Sequence, residues 1–461
     1  MSKLFAGFGQ AVITPDRPFP MAGFDLRKDV ATGIHDPLYV RAVWLQTGGQ
    51  DERFSTGSLA DGTSVLFLEL DLLGTSDYFC REIEAAVKEE FPEIGEISVG
   101  AIHTHAAPQS VFQTLACYDR GYSDWVIRRR LEAVSAAQED IHPVKAAFQE
   151  TRAQAVGSYR DVSRDESWFS MPVRTIWLDR LEEKSATAES RGPIALTLFA
   201  CHPTVLNEKN LQISRDLVWG WDEAIRALAV QKGKPVPQVL FMNSACADIS
   251  TRYTRKEASF REALRMGCLL AEQTDTAPEE LEWAEEAVLS HHSFEVTIPA
   301  AKSFDEDQKK QVLVYLEQKI ETCGDEAQKR EYTSCRSVLQ RPGYGKNLPL
   351  DAKITLIGLD LFVPEDNGSK YKKVIRKDTY VYICLPFEYP QKDAVRFAGE
   401  VQMKTGRIAL IRCYAGGYEG YLPSGRPLDQ DSGYEDMASH YRADAKEILE
   451  ERIKDELQNL Q

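Results

Sequence analysis

No segment of this chain approaches the roughly 20 consecutive apolar residues that a membrane-crossing helix requires. The opening Met1-Ser2-Lys3-Leu4-Phe5-Ala6-Gly7-Phe8-Gly9 lacks the apolar core of a secretion signal. Positive charge is in deficit: 55 Lys+Arg against 71 Asp+Glu leave a net charge of -16. Such a chain is repelled by phosphate backbones and anionic lipid heads, which argues against a nucleic-acid role. Paired cysteines are missing too. The nine cysteines (Cys80, Cys117, Cys201, Cys246, Cys268, Cys323, Cys335, Cys384, Cys413) are odd in number and widely spaced, with no CxxC pair. They read as reduced core thiols, and the expected location is cytoplasmic. Repeats, low-complexity tracts and Pro/Ser-rich linkers are absent, so no internal boundary is marked. A GxSxG elbow, a P-loop and a GxGxxG fingerprint opening a helix are also absent, leaving serine-hydrolase, nucleotide and dinucleotide readings without support.

What is present is ordinary globular material, 43% hydrophobic and 27% charged, which excludes global disorder. Short apolar runs bounded by Gly, Pro or polar residues read as buried strands: Ser64 to Leu70, Glu96 to Ile102, Ile194 to Ala200, Gln238 to Met242, Thr379 to Leu385 and Ile408 to Cys413. Between them, Tyr78 to Phe91, Lys256 to Glu272 and Tyr434 to Leu457 carry apolar positions at helical spacing. This alternation predicts an α/β fold, a mixed β-sheet core flanked by helices. The highly charged Ser303 to Gln340, ending at Arg341-Pro342-Gly343, reads as an inserted helical pair, either a lid or a solvated excursion.

Only eight histidines occur, and three sit in two compact groups, His103-Thr104-His105 and Cys201-His202-Pro203. Each group begins where a predicted strand stops, which places the imidazoles at the carboxyl edge of a sheet, where open α/β folds bind ligands. Asp248, Glu388 and Tyr421 repeat that position after other strands. His, His, Asp, Glu and Tyr at strand ends offer what zinc needs, neutral imidazoles and anionic oxygens with a position left for water. The remaining histidines, His35, His142, His291, His292 and His440, have no such companions, and His291-His292 reads as an exposed strand start.

From Ala6-Gly7-Phe8-Gly9-Gln10-Ala11-Val12-Ile13-Thr14-Pro15 onward the chain resembles the catalytic domain of the neutral/alkaline ceramidase family. Met21-Ala22-Gly23-Phe24, Asp36-Pro37-Leu38 with Arg41-Ala42, the HTHxxP stretch from His103 to Pro108, His202-Pro203-Thr204, Ala247-Asp248-Ile249-Ser250-Thr251 and Tyr418-Glu419-Gly420-Tyr421 with Tyr434-Glu435 follow in family order. The resemblance implies one zinc-hydrolase domain over residues 1–461, with Zn2+ held by His103, His202, Glu388 and Tyr421. It further implies that His105, Arg160 and Tyr434 line the substrate site. Departures are Phe387, where the family carries Gly, and Cys413-Tyr414-Ala415-Gly416, which lacks an expected Asn. No counterpart of the family's C-terminal immunoglobulin-like domain or secretion signal is seen, so a substrate smaller and more polar than ceramide is expected.

The implied chemistry is hydrolysis of an N-acyl bond in a small molecule by metal-activated water. His105 would shuttle the proton, or else only orient a neighbour. Asp248 and Asp216 would each hold an imidazole tautomer from behind, or cap a local helix. Asp71 would support the site or end its strand, and Tyr418 reads as packing. An esterase, a deacetylase, a glycoside-processing enzyme and a non-catalytic metal-stabilised binding protein remain alternatives, and oligomeric state is left open.

Overall fold

The computed structural model describes residues 2–48, 63–110, 119–160, 170–181, 191–274, 280–301, 303–341, 343–345, 347–365 and 374–460. Cys117 and Pro342 lie outside them. In chain order the elements are β1 (Ser2–Val12), β2 (Gly33–Ile34), β3 (Tyr39–Gly48), β4 (Ser64–Leu70), α1 (Asp77–Glu90), β5 (Glu96–Ala101), α2 (Arg120–Glu139), β6 (His142–Gln154), β7 (Ser158–Tyr159) and β8 (Ser170–Arg180). There follow β9 (Ile194–Phe199), β10 (Gln212–Ile213), α3 (Leu217–Gln231), β11 (Gln238–Asn243), β12 (Ile249–Ser250), α4 (Phe260–Thr274), β13 (Glu286–Ile298), α5 (Glu306–Thr322) and α6 (Glu326–Leu339). The chain closes with β14 (Leu350–Glu365), β15 (Val374–Cys384), α7 (Gln391–Thr405), β16 (Ile408–Arg412), α8 (Tyr434–Ala438) and α9 (Ala445–Glu456).

Twelve strands join one mixed sheet, in the order β11-β9-β8-β6-β1-β13-β14-β15-β16, with β3, β4 and β5 branching from β1. The strands explain why the sequence reads as continuous apolar runs rather than polar alternation: both faces are buried. In β4, Val65 and Phe67 enter the core between the two halves of the sheet, while Leu66, Leu68 and Leu70 pack under α1 and α2. In β9, Leu196 and Leu198 take the inner face, while Ala195 and Phe199 meet α3 and α4. The result is two sheet layers packed face to face with helices outside each.

Three connections position the site. β4-α1-β5, β9-α3-β11 and β15-α7-β16 each join a parallel strand pair through a helix. All carboxyl ends of a parallel pair lie on one side, so these units deliver their following residues to one place. The expected inserted helices exist as α5 and α6, the first opened by a capping box at Asp305 and Gln308. The expected single helix from Tyr434 to Leu457 is instead two. Ser439 is extended, Tyr441 bridges Ala300 and its hydroxyl donates to the Glu419 carbonyl at 2.7 Å, so tertiary pairing breaks the helix. His291 and His292 lie inside β13, not at an exposed start, and His292 Nε2 meets Glu456 at 2.7 Å. Among the described residues no helix is long and apolar enough to cross a membrane. The eight described cysteines are free.

Candidate metal centre

His103 leaves β5 through a residue in the left-handed region, at φ 69°, a conformation that costs on the order of 1–3 kcal/mol for a side chain with a Cβ. Its amide donates to the Leu72 carbonyl (3.0 Å) and its Nδ1 meets the Leu73 carbonyl at 2.7 Å. With Nδ1–H committed to a carbonyl, Nε2 carries the free lone pair and faces inward. His202 is held in the same way, its Nδ1 2.7 Å from the Cys246 carbonyl and 3.0 Å from that of Ile249. Glu388 and Tyr421 are clipped together by a parallel bridge, in which Glu388 N donates to Gly420 O and Leu422 N to Glu388 O.

These four side chains converge. Glu388 Oε2 lies 3.1 Å from His202 Nε2 and 3.7 Å from His103 Nε2, and the Tyr421 hydroxyl is 3.4 Å from His202 Nε2. His105 joins them, its Nε2 3.3 Å from His103 Nε2. Ligand atoms of His103, His105 and His202 all lie within 4.8 Å of one another, a buried group that could bind a metal. Burial holds His103 down to about 3, Glu388 opposing and His202 reinforcing, and holds His105 and His202 well below the ordinary imidazole value. Neutral imidazole is the form a metal takes. Burial, with Glu388, also keeps the Tyr421 phenol far above its usual range.

His105 differs from its two neighbours. Its buried Nδ1 has no hydrogen-bond partner, so no backbone carbonyl locks its tautomer as in the other two. The ring is placed by packing instead. Phe24 meets it edge-on at 4.9 Å, and Gly23, at φ 97°, lies so close that a Cβ would come within 2.4 Å of the imidazole. Arg160 Nη1 is 3.5 Å from the Tyr421 hydroxyl and 3.2 Å from Glu435 Oε1. Tyr434 stands edge-on to Tyr421 at 5.5 Å, and burial pushes its phenol up to about 12, so it remains an O–H donor at neutral pH. His105, Arg160, Tyr421 and Tyr434 line a cleft that opens to solvent beneath α6.

The two aspartates are occupied elsewhere. Asp216, at φ 54°, accepts from Leu217 N, Val205 N and Leu206 N, capping α3 and fixing the turn after His202. Asp248 accepts from Gln391 N at 2.7 Å, while its carbonyl receives Arg160 N at 2.8 Å. Backbone carbonyls do the work on the imidazoles. Asp71 accepts from Tyr39 N at 2.7 Å and so ties the start of β3. Phe387 is fully buried against Tyr441, on the core side of the chain.

Sequence reasoning missed three groups. Tyr418 is more than packing, since its hydroxyl donates to Glu388 Oε1 at 2.5 Å and fixes which carboxylate oxygen faces the imidazoles. Tyr414, at φ 57°, stacks on His103 with centroids 4.1 Å apart. Asn243, fully buried at the end of β11, donates through Nδ2 to the Ile102 carbonyl (3.1 Å) and the Cys201 carbonyl (3.2 Å). It thereby clamps the residues immediately before His103 and His202. An Asn closing an apolar strand was the one available signal. Asn243→Ala is expected to weaken metal affinity by about 10–100-fold, as loss of an outer support commonly does. Competition with a chelator measures it, and unchanged affinity in a folded variant refutes the clamp.

No protein-family model matches the sequence, and no curated protein matches it. Solved structures do resemble it. The neutral ceramidase from Pseudomonas aeruginosa superposes with a TM-score of 0.69 at 14% identity, over 100% of this chain and 75% of that one. A ceramidase complexed with C2 gives 0.65 at 13% identity, over 100% and 76%. The chain has a ceramidase-like fold, with the imidazole group at the carboxyl ends of its parallel strands.

Proposed function

We propose that the protein is a zinc-dependent hydrolase of N-acyl bonds in a small molecule, with His103, His202, Glu388 and Tyr421 as the metal ligands. The observation that carries the ligand choice is the contrast among the three imidazoles. His103 and His202 have Nδ1 locked on carbonyls and Nε2 turned to Glu388, whereas His105 has no such lock. A locked tautomer suits a ligand, and an unlocked one suits a group that must take and give a proton. A divalent cation at these donors supplies Lewis-acid activation of water and of the scissile carbonyl.

The chain's own residues do the rest. His105, at the cleft and 3.3 Å from His103, accepts a proton from the attacking water and returns it to the leaving amine. Arg160 and Tyr434 present donors toward the cleft for the negative charge that grows on the carbonyl oxygen. Glu435 holds the Arg160 guanidinium in place. The free cysteines agree with a cytoplasmic setting.

Incubation of the zinc-loaded protein with matched N-acyl and O-acyl panels, with amine release as the readout, tests the bond type. Turnover of esters alone would sink the amidase reading. His105→Ala is expected to keep its metal and lose about 10²–10⁴-fold in turnover, the usual worth of a positioned acid-base group. Loss of the metal in that variant would make His105 a ligand instead.

A further inference from the structure

The cleft carries the charge that the chain as a whole lacks. Four arginines line it (Arg160, Arg252, Arg255 and Arg330) against two carboxylates, Asp25 and Glu208, in a protein of net charge -16. Three of the four are neutralised within the fold. Arg160 pairs with Glu435 at 3.2 Å, Arg252 with Glu331 at 2.6 Å, and Arg330 with Glu208 at 3.5 Å. Asp25 is taken by Arg341 at 2.7 Å.

Arg255 is left over. Its Nη1 donates to the carbonyls of Thr204 and Val205, which aims the guanidinium without neutralising it, and among the described residues no carboxylate pairs with it. Burial lowers its pKa, with the charge of Arg330 and, less strongly, Arg252 adding to this and those of Asp216 and Glu208 opposing it. Hydroxyls of Thr204, Ser250, Ser334 and Ser337 line the same cleft. A guanidinium held from behind, with no ion pair of its own and hydroxyls lining the same cleft, matches a planar or tetrahedral oxyanion.

Resting on the reading of this site as a small-molecule hydrolase, we propose that the substrate carries a compact oxyanion, a carboxylate or a phosphate, received by Arg255 between Arg252 and Arg330. The anion would anchor the substrate on the α6 side of the cleft while the scissile bond lies at the His105 side.

The test compares kcat/KM for N-acylglycines with the matched N-acylglycinamides, and for N-acylethanolamine phosphates with N-acylethanolamines, over a range of acyl lengths. In the wild type one anionic member should outrun its neutral partner by about tenfold or more, the worth of a charge-assisted contact. Which pair shows the preference separates carboxylate from phosphate. Arg255→Gln and Arg330→Gln should each collapse that ratio toward one. Arg330, whose side chain is 41% exposed, decides if Arg255→Gln fails to fold. Equal use of anionic and neutral partners by the wild type, or a ratio unmoved in both variants, overturns the proposal. Calorimetry with succinate and inorganic phosphate separates the two ideas. Binding lost in the arginine variants, without N-acyl turnover in any, retains the anion site and removes the amidase reading. Turnover with neither preference nor anion binding does the reverse.

Discussion

Replacing His103 or His202 with alanine is expected to remove metal and turnover together. Freshly purified wild type should carry close to one zinc per chain, and each variant should carry almost none. Activity should fall by on the order of 10³-fold or more, because Lewis-acid stabilisation worth several kcal/mol disappears with the ion. The reason lies in how each imidazole is held. His103 and His202 project from different parallel units, yet each is fixed twice, once by a carbonyl on Nδ1 and once by Asn243 through the preceding residue. A site so constrained cannot recruit a replacement donor when one is deleted. His105, 3.3 Å away, is the one candidate for such rescue, and the contacts of Gly23 and Phe24 restrict its movement. Elemental analysis of both variants, with circular dichroism to establish folding, gives the answer. Full zinc retention in either folded variant excludes that residue as a ligand.

The convergence of these residues was legible because the chemistry sits directly after apolar runs. Ile102 ends one strand run and His103 follows, while Leu385 ends another and Glu388 comes three residues on. The strand ends of parallel units must share one side, so the pattern carried spatial information. The supports were illegible for an equally physical reason. The groups that orient His103 and His202 are carbonyls of Leu73, Cys246 and Ile249, and a carbonyl has no sequence signature. Asp248 and Asp216 have the right residue type at nearby positions, but their carboxylates satisfy backbone amides. The long antiparallel strands β13 and β14 were obscured because β13 includes Ser290-His291-His292-Ser293, polar residues that find partners such as Glu456 and Glu96. The helix expected from Tyr434 onward kept its periodicity, but bridging of Tyr441 to Ala300 overrode propensity.

Arg412→Met is expected to cost about 3–5 kcal/mol of stability, the penalty for stranding a buried carboxylate. Arg412 and Glu69 are 0% and 2% exposed and 2.7 Å apart. The guanidinium also donates to the Ser98 hydroxyl at 2.6 Å and the Leu68 carbonyl at 2.9 Å, so one side chain from β16 ties β4 and β5 across the two sheet layers. Gly100 is required beside it, since a Cβ there would come within 2.4 Å of both charged groups. Burial pushes Glu69 up to about 7 although Arg412 pulls it back. Without Arg412 the carboxyl would rise further, and the folded variant would hold a proton that the unfolded chain releases near its ordinary value of 4.5. Folded-state proton binding in excess of the unfolded state means that stability falls as pH rises, so the deficit relative to wild type should be larger at pH 8 than at pH 5. Urea unfolding at the two values measures this. Adding Glu69→Leu to Arg412→Met should restore most of the loss, because an apolar pair leaves no buried charge. A single variant within 1 kcal/mol of wild type at pH 8, or a double variant no better than the single, would show that this pair does not hold the layers together. Arg412 lies two residues before Tyr414, whose ring stacks on His103, so the single variant should also bind metal less tightly while the restored double variant recovers it.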